Sequence, residues 1–360
     1  MKKIVLAGGG TAGHIEPALA VARELRARYP QLAITFLGTR SGLETTLVPD
    51  AGFNLSLISK VKIARSLSPS LLLVPFSLIR SIRQTARLLK GADALVGFGG
   101  YVSGPAYLAA ALTRTPIVIH EANARPGIAN RLGARFTPFT AVTHAVENGA
   151  LSSALISGLP LREDVVAAFR AASVDWSSAR REAKRELGFV DSKPMIFIFG
   201  GSQGSAAIND VIAASHRSLQ ELGIQILHGV GSRNALPESS AGYRAQNYIT
   251  DMATAYLAAD IVISRSGAVT CAEVNTLGKF ALFIPLPIGN GEQALNGLDL
   301  VAQGRAEILQ QNRFTPEWLI AHVQQLLAKS AATPVAGSAA DIEAASKIVA
   351  LIEHAVKEGK

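Results

Sequence analysis

The composition of this chain is that of a folded protein with more than one core. It has 360 residues, 49% of them hydrophobic and 17% charged, which excludes the charge-rich signature of disorder and exceeds what one core ordinarily holds. Its longest apolar runs, such as 280–288, are shorter than the roughly 18 residues of a membrane-spanning helix. The single Cys271 excludes an internal disulfide and a multi-cysteine metal site. We therefore expect two domains in the cytoplasm, without a signal peptide.

The positive charge is concentrated in the first half of the chain. Residues 1–160 hold 17 Lys and Arg against 7 Asp and Glu, a net charge of +10, whereas residues 161–360 hold 18 against 20, a net charge of −2. A basic field of this kind attracts nucleic acid, anionic lipid or a phosphorylated ligand. Because only 6% of the residues are aromatic and we find no nucleic-acid-binding motif, binding of nucleic acid is not expected.

Short β-branched segments alternate with helical patterns along the whole chain. In the first half the predicted strands are KKIVLA, AITFLG, ALVGF, PIVIHE and FTAVTH, and in the second they are PMIFIFG, GIQILHG, NYIT, DIVISR and FALFIPL. This rhythm predicts βαβ units with parallel sheets. Each half also begins with a strand that runs into glycines, at 4–10 and at 196–204, which indicates two similar doubly wound domains.

These halves define the expected domains and fold class. We place the domains at 1–160 and 161–340, joined near 158–164, and expect a final helix at about 341–360 to pack back onto the first domain. The fold class is α/β, with two doubly wound, Rossmann-like domains. Ligands of such sheets lie beyond the carboxyl ends of the strands, so two facing sheets would form a ligand-binding cleft.

The segment 69–90 predicts a helix with two different faces. Its apolar positions share one face, and a stripe of cations lies beside them. The apolar face consists of Pro75, Ile79, Ile82, Ala86 and Leu89, and the stripe consists of Arg80, Arg83, Arg87 and Lys90. One interpretation makes the apolar face part of the core, and the other makes the helix a surface that touches an anionic leaflet.

The first glycine loop has the spacing of a phosphate-binding turn. Gly8, Gly10 and Gly13 fit G-x-G-x-x-G, in which a strand turns sharply into a helix whose N–H groups face a phosphate. A dinucleotide fold would need an acid near the end of the second strand, where this chain has Arg40. His14 follows the last glycine and serves either as a hydrogen-bonding group within the loop or as a base at the ligand.

The glycine loops of the second half suit a nucleotide diphosphate. The segment GGSQG offers backbone N–H groups and the Ser202 hydroxyl at a helix start, without the lysine of a P-loop. The segment 264–273 adds Arg265, a second helix N-terminus and Glu273. The Glu273 carboxylate either complements the helix dipole or accepts hydrogen bonds from a ribose. Polar residues at 289–296 are of the kind that grip sugar hydroxyls.

Six motifs, in order and spread over most of the chain, resemble the MurG family. They are GGGTAGHIEPALA, GFGGYVSGPA, HEANARPGIANR, GGSQG, DMATAYLAADIVISRSGAVTCAE and GEQALN. The resemblance implies an inverting GT-B glycosyltransferase that moves N-acetylglucosamine from UDP-N-acetylglucosamine to the C4 hydroxyl of the muramyl sugar of lipid I, making lipid II for peptidoglycan. It also implies that the first glycine loop faces the acceptor diphosphate, and that the nucleotide belongs to the second domain.

The resemblance carries the family's site residues onto this chain. The donor contacts are Arg162, Ser202, Ile249, Ala268, Val269, Thr270, Glu273 and Gln293. The acceptor contacts are Gly10, Thr11, Gly13, Tyr101, His120, Asn123 and Asn130, and the catalytic candidates are His14 and Glu121. Two positions depart from the usual family pattern, Leu159 where many members have Asn, and Glu292 where many have Gln. The role of position 292 stays open.

The expected chemistry is direct displacement at the anomeric carbon. His14 is the first choice as base because an imidazole titrates near neutral pH, and Glu121 and His120 are the alternatives. The chain has no Asp-x-Asp motif, so no metal and no cofactor are expected. The implied partners are UDP-N-acetylglucosamine, lipid I, anionic lipid on the cytoplasmic face of the cell membrane, and proteins of cell-wall synthesis and division. An NADP-dependent oxidoreductase and a non-catalytic nucleotide-sugar-binding subunit remain as alternatives.

Overall fold

Two α/β units make up the computed structural model, which describes residues 1–61, 74–287 and 290–359. The first unit contains Met1–Arg162 and Glu343–Lys360, and the second contains Glu163–Ile342. Among the described residues, no helix is both long enough and apolar enough to cross a membrane.

The first unit is built on a seven-stranded parallel sheet with the order β3-β2-β1-β4-β5-β6-β7. Its strands are β1 (Lys3–Ala7), β2 (Ala33–Gly38), β3 (Asn54–Leu57), β4 (Ala94–Gly97), β5 (Ile117–Glu121), β6 (Thr140–Val142) and β7 (Leu155–Ile156). Its helices are α1 (Ala12–Arg28), α2 (Glu44–Asp50), α3 (Val74–Leu88), α4 (Gly100–Thr113) and α5 (Ile128–Gly133). The central strands are buried on both faces, which explains why they read as continuous apolar runs.

The last helix of the chain belongs to the first unit. It is α14 (Ala344–Glu358), and it packs against α1. Ile348, Val349 and Ile352 of this helix are fully buried in the same apolar cluster as β1 and α1. Burial of each such side chain contributes about 1.5–3 kcal/mol, so α14 completes one face of the sheet.

The other face of the first sheet is covered by α3, α4 and α5. The five residues 69–73 of the predicted helix lie outside the described residues. In α3 the predicted apolar face is divided: Ile82 and Ala86 pack on the core, whereas Ile79 is 47% exposed. The fully buried side chains of α3 are instead the small residues Ser81 and Thr85.

The second unit has a six-stranded parallel sheet with the order β10-β9-β8-β11-β12-β13. Its strands are β8 (Met195–Phe199), β9 (Gln225–Gly229), β10 (Tyr243–Gln246), β11 (Ile261–Ser264), β12 (Phe280–Phe283) and β13 (Ala306–Ile308). Its helices are α6 (Glu163–Ala172), α7 (Trp176–Glu186), α8 (Ala206–Glu221), α9 (Met252–Ala258), α10 (Ala268–Thr276), α11 (Glu292–Asn296), α12 (Leu298–Ala302) and α13 (Pro316–Ala332).

One predicted strand of the second unit is wrong: its predicted position lies four residues after the observed strand. NYIT, at 247–250, follows the strand, and β10 itself is the more polar Tyr243–Gln246. Tyr243 and Ala245 alternate inward while their neighbours face outward, as expected at a sheet edge. Three further strands, β3, β7 and β13, were not predicted; they are two to four residues long, and most of their residues are partly buried or exposed.

Candidate functional site

Each sheet has one point at which its strand order reverses, and a glycine loop lies there. In the first unit β1 lies next to β4, and the chain runs outward from this pair in both directions. In the second unit β8 and β11 form the corresponding pair. Loops that follow such a pair diverge and leave a crevice at the carboxyl edge of the sheet, where doubly wound folds bind their ligands. The sequence-predicted residues gather at these two edges.

The first glycine loop is held by a buried carboxylate that the sequence analysis missed. Glu44 is fully buried, and its Oε2 accepts a hydrogen bond from Gly10 N at 2.9 Å. Its Oε1 accepts from Thr39 N at 2.9 Å and from the Tyr101 hydroxyl at 3.0 Å. Glu44 therefore ties the loops after β1, β2 and β4 together. The only sequence signal is an acid shortly after a strand end, which is too common to be specific.

His14 lies between the two glycine loops of the first unit. Its ring is half-buried, with Nδ1 3.2 Å from the Thr11 hydroxyl. Gly99 and Gly100 have φ of 88° and 78°, a conformation that favours glycine. A Cβ on Gly99 would lie 3.2 Å from His14 Cδ2, so the glycine also makes room for the imidazole.

A second polar cluster follows β5 in the same unit. Glu121 Oε1 accepts from the Asn123 backbone and side-chain N–H groups at 3.0 and 3.1 Å. Its Oε2 accepts from Gly127 N at 2.9 Å and from Asn130 Nδ2 at 3.0 Å. With four hydrogen bonds and 3% exposure, this carboxylate shapes its own loop and is a weaker base candidate than His14. The amide of Asn130 also lies beside Gly99, which connects the two clusters.

His120 is fully buried at the end of β5. Its Nε2 donates to the Gly158 carbonyl at 3.1 Å, and Nδ1 has no hydrogen-bond partner among the described residues. Burial lowers the pKa of His120 to about 4, and the Gly158 carbonyl opposes this only weakly. The ring is therefore neutral at pH 7 and serves the fold, holding the strand end against the segment 157–160.

In the second unit the GGSQG loop lies between β8 and α8. Ser202 is half-buried in this loop, and Gly201 and Gly204 have φ of 91° and 77°. Gly204 touches Gly231 in the loop after β9, where neither position has space for a Cβ. At the end of the loop, Ser205 caps α8 by accepting a hydrogen bond from the backbone. The GGSQG loop is thus packed against the loop after β9 and ends at the N-terminus of α8, a position that favours an anion.

Arg265 braces this loop and does not have a free guanidinium. Its Nη2 donates to Ser205 Oγ at 2.8 Å and to Gln311 Oε1 at 2.7 Å. Its Nη1 donates to the carbonyls of Ile284 and Pro285 at 2.9 and 3.1 Å. Burial lowers the pKa of the guanidinium. Arg265 therefore fixes the strand ends of β11 and β12 relative to α8.

A buried polar network supports the same loop from behind. His228 Nε2 lies 3.1 Å from Asn209 Oδ1, and its Nδ1 lies 3.0 Å from the Tyr243 hydroxyl. Asn209 Nδ2 donates to the Val230 carbonyl, which packs against Gly204. Burial lowers the pKa of His228 to about 4, with a smaller contribution from the nearby His216.

The remaining predicted donor residues other than Arg162 follow β10, β11 and β12 in the chain. Ile249 packs on Gly229 at the end of β9. Ala268, Val269 and Thr270 form the first turn of α10 and are buried to half-buried. Glu273, in the second turn of α10, is 1% exposed.

The other polar residues lie at the start of α11 and at the end of the first unit. The side chain of Gln293 accepts a hydrogen bond from Leu286 N at 3.0 Å. Glu292 Oε2 is buried with no hydrogen-bond partner among the described residues. Arg162 is half-buried at the end of the first unit.

No grouping of three or more His, Cys, Asp or Glu side chains suited to a metal ion occurs within 1–61, 74–287 and 290–359. Cys271 is buried in α10, and burial raises the pKa of its thiol, as fits a packing residue.

Sequence comparisons match both units to one family. The glycosyltransferase family 28 N-terminal domain matches residues 4–141, and the family 28 C-terminal domain matches residues 195–352. A protein of Corynebacterium efficiens is 44% identical over 91% of this chain and 89% of its own length, and one of Streptomyces coelicolor is 45% identical over 90% and 89%. Both relatives are named UDP-N-acetylglucosamine–N-acetylmuramyl-(pentapeptide) pyrophosphoryl-undecaprenol N-acetylglucosamine transferase.

Solved structures agree with these matches. The crystal structure of Acinetobacter baumannii MurG is 28% identical, with a TM-score of 0.70, and the match covers 98% of this chain and 100% of that one. A UDP-GlcNAc 2-epimerase from Neisseria meningitidis, bound to UDP-GlcNAc, is 14% identical with a TM-score of 0.62 over 98% and 100%, and shares the fold.

Two doubly wound units, each with a glycine loop at its switch point, together with the matches to both family 28 domains, define a glycosyltransferase of the GT-B class. The chain belongs to glycosyltransferase family 28 and, within it, to the family of MurG transferases.

The two buried histidines predict a loss of stability in mild acid. Because the folded-state pKa of each is about 4 and the unfolded value is about 6.5, the unfolded chain binds more protons below pH 6.5. The free energy of unfolding should fall between pH 6.5 and 4, by roughly 3 kcal/mol for each histidine. Urea unfolding at pH 7.5 and 4.5 measures this change.

The variants His120→Gln and His228→Gln act as controls for each other in this experiment. Each should remove its own share of the pH dependence and leave the other share in place. An equal pH dependence in the wild-type protein and in the double variant would contradict the assignment.

Proposed function

We propose that this protein transfers N-acetylglucosamine from UDP-N-acetylglucosamine to the C4 hydroxyl of the muramyl sugar of lipid I, forming lipid II for peptidoglycan. The observation that carries the proposal is the 44% identity, over 91% of the chain, to a transferase named for this donor and acceptor. The switch-point loops of both units support it, because the reaction needs one diphosphate site for the donor and one for the acceptor.

The donor is assigned to the second unit. The backbone N–H groups of GGSQG and the Ser202 hydroxyl bind the diphosphate, since a helix N-terminus favours an anion. The backbone near Ile249 and the first turn of α10 hold the base, and Gln293 contacts the sugar. The Glu273 carboxylate accepts hydrogen bonds from the ribose hydroxyls. Because Glu273 is 1% exposed, its neighbours must move when the ribose binds.

The acceptor is assigned to the first unit. The glycine loop with Gly10, Thr11 and Gly13 receives the acceptor diphosphate at the start of α1. Tyr101 closes the loop from the side of α4, where its hydroxyl is fixed by Glu44. Asn123 lies after β5 at the same edge of the sheet, beside the buried residues His120 and Asn130.

His14 is assigned as the general base. The C4 hydroxyl oxygen attacks the anomeric carbon while His14 takes the hydroxyl proton, and the bond from that carbon to the diphosphate oxygen breaks. UDP leaves with the bonding electrons, and the configuration inverts from α to β. Helix N-termini and Ser202 stabilise the charge that develops on the leaving diphosphate. His14 suits the role because its ring is half-exposed, whereas His120 is buried and Glu121 is saturated with hydrogen bonds.

The place of action is assigned to the cytoplasmic face of the cell membrane, with the protein bound peripherally through α3 and α4. Phe76 and Ile79 of α3 are 73% and 47% exposed, and Leu112 of α4 is 75% exposed. Arg80, Arg83 and Arg87 are exposed on α3 as well. Apolar side chains and cations together favour an anionic leaflet. At that surface the protein would also meet proteins of cell-wall synthesis and division.

The direct test is a transfer assay with UDP-N-acetylglucosamine and a lipid I analogue. Formation of the disaccharide and UDP supports the proposal. Binding of UDP-N-acetylglucosamine without turnover would indicate a binding subunit, and oxidation of NADPH would indicate the oxidoreductase alternative.

Replacement of His14 should abolish proton transfer without disturbing the nucleotide site. We expect His14→Ala to lower kcat by about 10² to 10⁴-fold at saturating acceptor. The affinity for UDP, measured by calorimetry, should stay nearly unchanged. Full turnover by His14→Ala would remove His14 from the mechanism and make Glu121→Gln the next variant.

Replacement of Glu273 should weaken nucleotide binding. Charge-assisted hydrogen bonds are worth about 1.5–3 kcal/mol each, so Glu273→Ala should lower the affinity for UDP at least about tenfold. Glu186→Ala, on the exposed face of α7, is the matched control and should leave the affinity unchanged. If the Glu273→Ala protein folds normally and binds UDP like the wild type, the carboxylate does not bind the ribose and only complements the dipole of α10.

Charge reversal on α3 should weaken binding to anionic vesicles. Each cation near the surface contributes about 1 kcal/mol, so the triple change of Arg80, Arg83 and Arg87 to Glu should release the protein at low salt. The control is the same change at three exposed arginines of the second unit, Arg170, Arg181 and Arg217. Flotation with anionic vesicles measures the binding of the α3 variant and of the control variant. Equal binding of the wild type to neutral and anionic vesicles would exclude electrostatic docking.

A further inference from the structure

A groove of about 680 Å³ runs along α5 in the first unit, and neither the proposed donor nor the diphosphate site uses it. One wall is α5 with the residues just before and after it, and the other wall is the segment 146–151. We call it the α5 groove. Its lining contains three arginines, and the one acidic residue of the second wall, Glu147, is exposed and does not line the groove, so the lining suits an anion. The lining residues are Arg125, Pro126, Ile128, Arg131, Leu132, Arg135, Val146, Asn148, Gly149, Ala150 and Leu151.

Two of these arginines are placed to bind a carboxylate. Arg131 lies in α5 and Arg135 in the turn that follows it, where Arg135 N donates to the Leu132 carbonyl at 3.2 Å; both are exposed and line the same groove. No ion pair or hydrogen bond of either guanidinium occurs among the described residues. A guanidinium offers a planar pair of donors that matches a carboxylate.

The groove also has an apolar part. Ile128 is 83% exposed at the start of α5, and Leu132 follows it one turn later, half-buried. Leu151 closes the floor at 2% exposure. Alternation of guanidinium and aliphatic groups suits a peptide with carboxylates and small side chains better than it suits a bare phosphate.

The start of the groove is fixed to the polar cluster after β5. Gly127 N donates to Glu121 Oε2 at 2.9 Å, and Asn130 Nδ2 donates to the same oxygen at 3.0 Å. Arg131 N in turn donates to the Gly127 carbonyl at 3.0 Å. The buried Glu121 carboxylate thus sets the direction in which α5 and its arginines leave the edge of the sheet that is assigned to the acceptor.

We propose that the α5 groove binds the peptide attached to the muramyl sugar of the acceptor, with Arg131 and Arg135 pairing with its carboxylates. This inference rests on the proposed function, since it concerns a further part of the same acceptor. A five-residue peptide extends about 17 Å, which is long enough to reach along a one-and-a-half-turn helix from the edge of the sheet. The groove then distinguishes acceptors by their peptide, while the glycine loop binds their diphosphate.

The test compares two soluble acceptors that carry the same muramyl diphosphate, one with the pentapeptide and one without it. For the double variant Arg131→Gln/Arg135→Gln, we expect KM for the peptide-bearing acceptor to rise about tenfold, equivalent to about 1.4 kcal/mol. KM for the peptide-free acceptor and for UDP-N-acetylglucosamine should not change. The double variant Arg170→Gln/Arg217→Gln, exposed in the second unit, removes the same charge and should behave as wild type.

A binding measurement separates failure of this inference from failure of the proposed function. A fluorescent muramyl pentapeptide without diphosphate should bind the wild type more tightly than it binds Arg131→Gln/Arg135→Gln, whether or not transfer occurs. Absence of transfer by the wild type with both acceptors would overturn the proposed function, and equal peptide binding by the two proteins would overturn the groove.

Two other results would also overturn the peptide assignment. An equal rise in KM for both acceptors would mean that the arginines contact the diphosphate. A loss of binding to anionic vesicles, with unchanged selectivity for the peptide, would mean that they contact lipid.

Discussion

The parallel alignment of strands is the constraint on which the rest of the structure depends. Every paired strand in the two sheets runs parallel to its neighbour, so all strand ends with functional loops meet at one edge of each sheet. The chain leaves the central pair in opposite directions, β1 and β4 in one unit and β8 and β11 in the other. The loops that follow this pair must therefore diverge, and the strand order alone creates a crevice between them. Glycines then let the backbone turn within that crevice.

Buried polar groups give these loops one conformation. Glu44, Glu121 and Arg265 each bond to several separate backbone or side-chain groups. A buried charge is costly without partners, so each loop is stable only when all the bonds form together. Loss of one partner would leave a desolvated charge, so the conformation of each loop depends on all of these bonds. His228 and Asn209 act in the same way behind the GGSQG loop.

The two faces of the sheet in the first unit are covered in different ways. Its α1 and α14 face is closed by a continuous apolar cluster, whereas the α3, α4 and α5 face leaves large apolar side chains and arginines in solvent. The arginines of α3 and α5 contribute to the net charge of +10 in residues 1–160. Exposure of apolar side chains beside cations is unfavourable in the free protein, and their burial under a charged partner lowers the free energy. The surface chemistry of α3 and α5 therefore follows from the acceptor proposed for this unit.

The sequence by itself determined the βαβ order, the two similar halves and the family, because buried parallel strands and glycine turns leave strong local patterns. The glycine loops that contain Gly10 and Ser202 were recognised for the same reason, whereas Ala268 was named through the family resemblance. The short edge strands β3, β7 and β13 escaped because two to four residues carry too little periodicity. The local sequence pattern could not reveal that Glu44 holds the first loop, because Glu44 lies 34 residues from Gly10. The tertiary structure alone decided which polar groups are buried braces and which remain open to a ligand, because burial and hydrogen-bond partners arise from contacts between segments far apart in sequence.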